Sequence, residues 1–239
     1  MELSVVIPVF NEQENVLPLA SEVAEALKDY RLPFEIVFVD DASKDSTWEK
    51  IQEARRIDPR VRGVRHHRNL GQSAAVWTGV QQTKAPLLAT LDGDRQNDPA
   101  DLPKLIAEVA LVDFTCGVRL NRKDTWIKRT SSKIARCFRH WMLGADFRDT
   151  GCALRVFRRT ALSQVLVFRG WHRFMPILVH NAGFTVKEVP VNHRPRAAGI
   201  SKYGIGNRLW VGIYDLIGIA WYQRRRVPVV KPTDISLTQ

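Results

Sequence analysis

Two periods of apolar spacing alternate along the first hundred or so residues. Leu3–Val9 is a nearly unbroken apolar run, as in a strand covered on both faces, and the stretch Asn11–Asp29 then sets Val16, Leu19, Ala20, Val23 and Leu27 at helical spacing. Glu35–Val39 reads as a second strand, Thr47–Ile57 as helix, Val61–Arg65 as strand, Ser73–Thr83 as helix and Pro86–Leu91 as strand. Asp98-Pro99 opens another helix that runs through Val109, with proline early, where its missing N–H costs nothing, and Val112–Cys116 follows as strand. Strands alternating with helices predict an α/β fold with a mostly parallel sheet covered on both faces.

The pattern changes after Arg119. Asn121–Thr125 is polar. Trp126–Leu143 then spaces Ile127, Ile134, Ala135, Phe138, Trp141 and Met142 along one helical face, and Lys128, Arg129, Lys133, Arg136, Arg139 and His140 fill the remainder, which makes a basic amphipathic helix. Ala153–Phe157 and Phe184–Val189 read as strands with a helix from about His172 to Asn181 between them. Ile205–Gln223 is a second amphiphilic helix, ending in Arg224-Arg225-Arg226. Its apolar stretch Leu209–Tyr222 contains Asp215 and falls short of the roughly 20 residues of a bilayer crossing, so the expectation is a helix lying in the interface. A helix packed on the domain by its apolar face would show the same pattern.

Composition bounds the picture. With 45% apolar and 26% charged residues, 239 residues can bury one sizeable core. The organisation expected is an α/β half over 1–118, a second half of the same compact domain over 119–204 with mobile loops, and an amphipathic helix with its tail over 205–239. Met1 leads straight into the first strand with no basic leader segment, so no signal peptide is expected and the site should face the cytosol. Cys116, Cys137 and Cys152 are odd in number and widely spaced, which speaks against disulfides and zinc.

The net charge of +11 is unevenly distributed. Residues 1–113 carry 13 Lys+Arg against 19 Asp+Glu, a net of −6, whereas 114–239 carry 23 against 6, a net of +17. The second half needs an anionic partner: nucleic acid, an anionic membrane face or a phosphorylated substrate. Neither GxGxxG after a strand nor GxxxxGK[ST] is present, which weakens hydride transfer and ATP hydrolysis as readings.

The densest chemical signal is Asp92-Gly93-Asp94-Arg95-Gln96-Asn97-Asp98-Pro99, directly after a strand. If this stretch is extended, Asp92, Asp94 and Gln96 share a face and offer two carboxylates and a carbonyl oxygen to Mg²⁺ or Mn²⁺. The competing reading is an acidic turn in which Asp98 caps the next helix. A second cluster follows strands one and two: Glu12, Asp40 and Asp41 can accept hydrogen bonds from a base or ribose, while Asn11, Ser43 or Asp45 can equally be helix N-caps. Gly199-Ile200-Ser201-Lys202-Tyr203-Gly204 reads as a flexible loop whose Lys202, with Arg194 and Arg196, can close over phosphate.

PVFNE, VDDASKDST, NLGQSAAVWTG and DGDRQNDP, in this order, resemble the nucleotide-sugar domain of family-2 glycosyltransferases with the GT-A fold. DTGCALRVFRR, GWHRFMPIL and VNHRPRAAGISKYG narrow the resemblance to polyprenyl-phosphate glycosyltransferases of the dolichol-phosphate mannose synthase type, over about residues 3–226. The resemblance implies that Pro8, Phe10, Glu12, Asp40 and Asp41 meet the nucleoside, with Asp92 and Gly93 on the donor side, and that Asp92, Asp94 and Gln96 hold the cation. It places Arg119, Arg129 and Ser132 at the acceptor phosphate, and Arg196 and Lys202 on a basic loop over both phosphates. Asp94, Arg119, Arg196 and Lys202 are thus the catalytic set. Gly93-Asp94-Arg95 stands where Ala-Asp-Leu is more usual, and Arg95 is an unexpected charge beside the cation site.

The activity implied is inverting transfer of a hexose from a nucleotide-diphosphate sugar, of the GDP-mannose or UDP-glucose type, to a polyprenyl phosphate at the cytosolic, anionic membrane surface. An ionised phosphate acceptor needs no general base, so Asp149 is expected to orient and not to deprotonate. His172 and His193 are read as scaffold or phosphate-loop residues. A family-2 transferase with a soluble saccharide acceptor is the alternative. A nucleic-acid-binding protein fits only the charge, because no recognition motif accompanies it and no nucleic-acid partner is expected.

Overall fold

The structure is a computed structural model that describes residues 1–119, 142–144, 146–195 and 206–226. Its strands are β1 (Leu3–Val9), β2 (Phe34–Asp40), β3 (Val61–Arg65), β4 (Leu87–Thr90), β5 (Phe114–Arg119), β6 (Arg155–Arg158) and β7 (Val186–Val191). They form one seven-stranded sheet in the order β3-β2-β1-β4-β6-β5-β7. β1 pairs in parallel with β2 and β4, β2 with β3, and β5 with β7; only β6 runs antiparallel, to both β4 and β5.

Helices α1 (Val16–Ala26), α2 (Thr47–Ile57) and α4 (Leu102–Glu108) cover one face, and α3 (Gln72–Gln81), α5 (Met175–Asn181) and α6 (Gly206–Arg225) the other. Alternation along β1 explains the two cores. Leu3, Val5, Ile7 and Val9 pack under α1, α2 and α4, while Val6 points to the opposite face with Val37, Val39 and Ala75. On that second face Phe114 and Phe157, directly opposed in register, stack at 5.2 Å between centroids beside Trp171 and Met175. Burying a pair of rings of this size is worth several kcal/mol, of the order lost in Phe→Ala changes (about 3–5 kcal/mol).

Most predicted elements fall where periodicity placed them, and their ends shift for local reasons. α1 starts only at Val16, because Asn11 takes a left-handed conformation (φ 51°) and the loop after β1 continues to Asn15. The helix after Asp98 opens as a 3₁₀ turn, Pro99–Asp101, with Asp98 accepting the Ala100 N–H at 3.0 Å. A 3₁₀ turn over Trp171–Arg173 likewise precedes α5. Cys116 and Cys152 are buried free thiols whose pKa values burial pushes up, in Cys152 to about 11, so neither is poised as a nucleophile.

α6 carries two apolar faces. Leu216, Ile219 and Ala220 pack into the core, whereas Tyr214, Ile217 and Trp221 are 79%, 54% and 64% exposed, along one stripe that ends near exposed Arg224 and Arg225. Among the described residues no helix is long and apolar enough to cross a membrane. The amphipathic helix expected at 126–143 lies, apart from its last two residues, outside the described residues, as does the loop expected at 199–204.

Candidate active site at the carboxyl edge of the sheet

From β1 the chain steps to β2 and β3 on one side, then crosses to β4 on the other, so β1 and β4 flank the point where strand order reverses. Ligands of open α/β sheets bind in the crevice outside the carboxyl ends of such strands. The loops after β1, β2 and β4 meet there. Each contains a non-glycine residue in the left-handed region, Asn11 (φ 51°), Ala42 (φ 61°) and Arg95 (φ 60°), and these three are all such residues among those described. Backbone conformations of this kind persist only where surrounding contacts hold them, and they concentrate at functional sites.

The contacts that hold them are visible. Asn11 N–H donates to Ser43 Oγ at 2.9 Å, and Asn11 Oδ1 accepts from Lys44 N at 2.8 Å, so the first two loops are laced together and neither residue caps a helix. Asp45, one residue before the N-cap Ser46, accepts the Thr47 N–H at 3.0 Å at the start of α2. Glu12 N donates to Thr47 Oγ1, and the Glu12 carboxylate accepts from Asn15 Nδ2 at 2.7 Å. Pro8 lies opposite Val39, with Phe10 just beyond the strand; both are partly exposed.

Asp40 and Asp41 are both buried but play different parts. Asp40 Oδ1 accepts from Ser43 N at 2.9 Å; Oδ2 lies 3.1 Å from Arg65 Nε, an ion contact without hydrogen-bond alignment, and so keeps an unfilled acceptor. Asp41 is fully engaged. Its carboxylate takes the N–H groups of Leu70 and Gly71 at 2.8 and 2.7 Å and meets His66 Nδ1 at 2.7 Å, which fixes the start of α3 against the end of β2. Of the two, Asp40 is the one with a carboxylate oxygen that accepts no hydrogen bond among the described residues.

Asp92 and Asp94 follow β4, and the stretch between them is not extended. The chain turns at Gly93-Asp94, Arg95 is left-handed, and Asp94 Oδ1 accepts the Gln96 N–H at 3.1 Å. The alternating-face expectation for Asp92, Asp94 and Gln96 is therefore replaced by a turn, which gathers the two carboxylates. Gly93 is required by close approach: a Cβ there would lie 2.6 Å from Val9 Cγ1 and 3.0 Å from the Pro8 carbonyl oxygen, a contact an alanine could not make without displacing β1. Gln96 follows the turn with its carbonyl bonded to Arg194 N at 2.9 Å.

Asp92 sits among Asp94, Gln72, Arg119 and Arg155. Burial first, and then the Asp94 carboxylate, raise its pKa to about 6, against the pull of both arginines and the 2.7 Å hydrogen bond from Gln72 Nε2. Two adjacent carboxylates, one held reluctantly ionised, fit a divalent cation that would remove their repulsion. Among the described residues no group of three or more His, Cys, Asp or Glu side chains is gathered for a metal, so the fit rests on these two carboxylates, Gln96 and oxygens of a ligand.

Three features of the site carry no signal in sequence periodicity. Gln72 lies within NLGQSAAVWTG, but 20 residues separate it from Asp92. Arg155 is a buried guanidinium in β6 that donates to Thr150 O at 3.1 Å and sits against Met175 Sδ, with Nε unpartnered, placing a fixed positive charge beneath the carboxylates. Glu22 on α1 receives Arg95, through Nε at 3.1 Å and through Nη2, and also Arg194 Nη1 at 2.8 Å. The charge of Arg95 is thus directed away from the carboxylates and neutralised. Arg194 also donates to Asp98 Oδ1 at 2.6 Å, and Asn97 bridges His193, so the 92–98 turn is joined to the segment that leads toward Arg196.

Arg119 ends β5 in a bidentate pair with Asp149, Nε to Oδ2 at 2.6 Å and Nη2 to Oδ1 at 2.7 Å. His172 is held by Ser73 Oγ at 2.7 Å, and burial, reinforced by Arg155 and Arg173, lowers its pKa to about 3. Arg129, Ser132, Arg196 and Lys202 lie outside the described residues.

A mostly parallel sheet with flanking helices and carboxylates at its switch point is an α/β architecture of the GT-A type. The sequence signature described as glycosyl transferase family 2 matches residues 4–166, and the chain belongs to that family. It is 36% identical over 233 residues to the dodecaprenyl-phosphate galacturonate synthase of Rhizobium johnstonii, covering 94% of this chain and 68% of that protein. It is 35% identical over 217 residues to the undecaprenyl-phosphate 4-deoxy-4-formamido-L-arabinose transferase of Aeromonas hydrophila, covering 90% and 66%. The chain thus spans about two thirds of the length of these relatives. In fold it is similar to glucosyl-3-phosphoglycerate synthase from Mycobacterium tuberculosis, solved with Mn²⁺, UDP and phosphoglyceric acid (TM-score 0.69, 16% identity, 95% of this chain and 79% of that one). A mannosyltransferase from Pyrobaculum calidifontis, solved with GDP-Man and Mn²⁺, gives a TM-score of 0.61 at 17% identity over 97% and 66%.

Proposed function

We propose that this glycosyltransferase moves a sugar from a nucleotide-diphosphate donor to a polyprenyl phosphate, with Mg²⁺ or Mn²⁺ at Asp92 and Asp94. The observation that carries this reading is the Asp92–Asp94 pair at the switch point, backed by Gln72 and Arg155. The relatives named for dodecaprenyl and undecaprenyl phosphate support the acceptor class. When bound, the cation neutralises charge on the departing diphosphate. Pro8, Phe10, Glu12 and Asp40 receive the nucleoside, and Asp41 acts by fixing the start of α3.

Arg119 presents its charge at the acceptor end of the sheet, and Asp149 orients it. On sequence grounds Arg129, Ser132, Arg196 and Lys202 join it around the two phosphates. The acceptor phosphate is ionised near neutral pH and attacks the anomeric carbon in line, with inversion and without a protein base. The exposed Tyr214, Ile217 and Trp221 stripe with Arg224 and Arg225 supports work at an anionic membrane surface, where such an acceptor resides.

The test is incubation with Mn²⁺, polyprenyl phosphate in detergent and a panel of labelled UDP- and GDP-sugars, including galacturonate and pentose donors, followed by organic extraction. Label in the organic phase with one donor is the expected result. Transfer only to a water-soluble acceptor would move the chain to the soluble-saccharide alternative.

A further inference from the structure

His172 lies 99 residues from Ser73 in sequence, yet the two are joined at 2.7 Å through Nδ1 and Oγ. Ser73 Oγ already accepts the Gly170 N–H at 2.7 Å, and the Trp171 indole N–H donates to the Ser73 carbonyl at 3.1 Å. Gly170 N–H fills one lone pair of Oγ, and His172 Nδ1 is the acceptor that geometry offers the buried hydroxyl's own proton among the described residues. That arrangement leaves the ring proton on Nε2. Nε2 makes no hydrogen bond among the described residues, and His172, though largely buried, keeps part of its surface exposed. Gln72, which precedes Ser73 in α3, donates its amide to Asp92, and the Arg155 charge acts on both Asp92 and His172, so the knot borders the carboxylate edge of the site.

We propose that His172 is a donor-site residue: a neutral imidazole, locked by Ser73 in the Nε2–H tautomer, that offers this single N–H to an oxygen of the sugar diphosphate held at Asp92. The proposal rests on the function proposed above. The charged groups that face the ring are Arg155 from β6 and Arg173 beside it, and with burial they keep it uncharged across the working range. A neutral donor suits this position. An imidazolium there would compete with the cation for the diphosphate and would vary with pH, whereas a fixed N–H contributes the same hydrogen bond throughout.

Two substitutions separate this role from scaffolding. In His172→Gln the side-chain amide reaches the Nε2 position; in His172→Asn it reaches Nδ1 and preserves the Ser73 contact. Affinities are measured by calorimetry with Mn²⁺ for UMP, UDP and UDP-glucose and for GMP, GDP and GDP-mannose. In the series the wild type binds, His172→Asn should lose about tenfold for diphosphate and sugar nucleotides and stay within about twofold for the monophosphate, while His172→Gln remains near wild type. Nitrogen-15 NMR of the wild-type imidazole should show an Nε2–H tautomer with no titration between about pH 5 and 8.

Rescue by Asn and not Gln, equal losses for all three ligands, or an Nδ1–H tautomer would overturn the proposal. Should the wild type bind neither series, the donor reading itself fails and this inference with it; binding that both variants leave unchanged defeats the inference alone.

Discussion

Arg119 donates Nε and Nη2 to the two carboxylate oxygens of Asp149, at 2.6 and 2.7 Å, with both side chains mostly buried. A carboxylate clamped in this way is a poor proton acceptor and a good orienting group. Asp149→Asn should lower stability by about 2–4 kcal/mol, because it leaves the guanidinium buried without its counter-charge. It should raise KM for the lipid acceptor more than it lowers kcat, and the pH profile of kcat should keep its shape. Urea unfolding and steady-state kinetics measure these; a loss of several orders in kcat with donor binding intact would make Asp149 the base.

Asp92 predicts a pH dependence with a definite sign. Its folded pKa of about 6 lies above the ordinary 3.8, so in the cation-free protein the associated stability is fully present below about pH 4 and is lost as pH rises through 6, a loss of no more than about 3 kcal/mol. Cation binding needs the ionised form. The increment in Tm produced by Mn²⁺ with nucleoside diphosphate should therefore be small at about pH 5, rise through 6 and level off by about 7.5. Asp92→Asn should raise the Tm of the cation-free protein at about pH 8, and abolish the Mn²⁺ increment.

Glu22 lies outside the crevice on α1, yet it receives Arg95 from the carboxylate turn and Arg194 from the segment after β7. Its side chain is 25% exposed, so its ion pairs contribute about 1 kcal/mol or less to stability. Glu22→Gln should leave Tm within a few degrees of wild type and weaken Mn²⁺–nucleotide binding several-fold, as Arg95 is released toward Asp92 and Asp94. Arg95→Leu in the same background should restore the affinity. A calorimetric double-mutant cycle reads this coupling directly.

Gly170 combines a φ of 106° with a tight contact: a Cβ there would lie 2.7 Å from Asp215 Oδ2 on α6. Gly170→Ala is expected to cost about 1–2 kcal/mol, chiefly from backbone strain at positive φ, since the Asp215 carboxylate can turn aside, and denaturant unfolding measures it. Because Gly170 N–H also anchors Ser73 Oγ, donor affinity should fall with stability. A neutral effect on both would show that the backbone here accommodates a side chain without strain.

Periodicity alone set out β1, α2 and β3 to their ends, because each buries a face whose side chains repeat at the period of its own backbone. The Asp92 and Asp94 carboxylates, too, stood out as polar residues directly after an apolar strand. Composition also segregated the charge, an acidic first half and a basic second. None of this could show that Asp92 and Asp94 come together through a left-handed turn, since Arg95 has no intrinsic preference for it and is held there by Glu22, 73 residues away.

The remainder belongs to the tertiary structure for the same reason. Gln72 on Asp92, Ser73 on His172 and Asp149 on Arg119 are contacts across 20, 99 and 30 residues. Each joins polar groups that recur with no period and meet only because β4, β5 and the start of α3 share one edge of the sheet. The sequence determined which residues could do chemistry and which segments would be strands. Only the packing of those strands decided which carboxylate is held near neutral, which arginine is clamped and which imidazole stays uncharged, because burial and charged neighbours are set by spatial proximity.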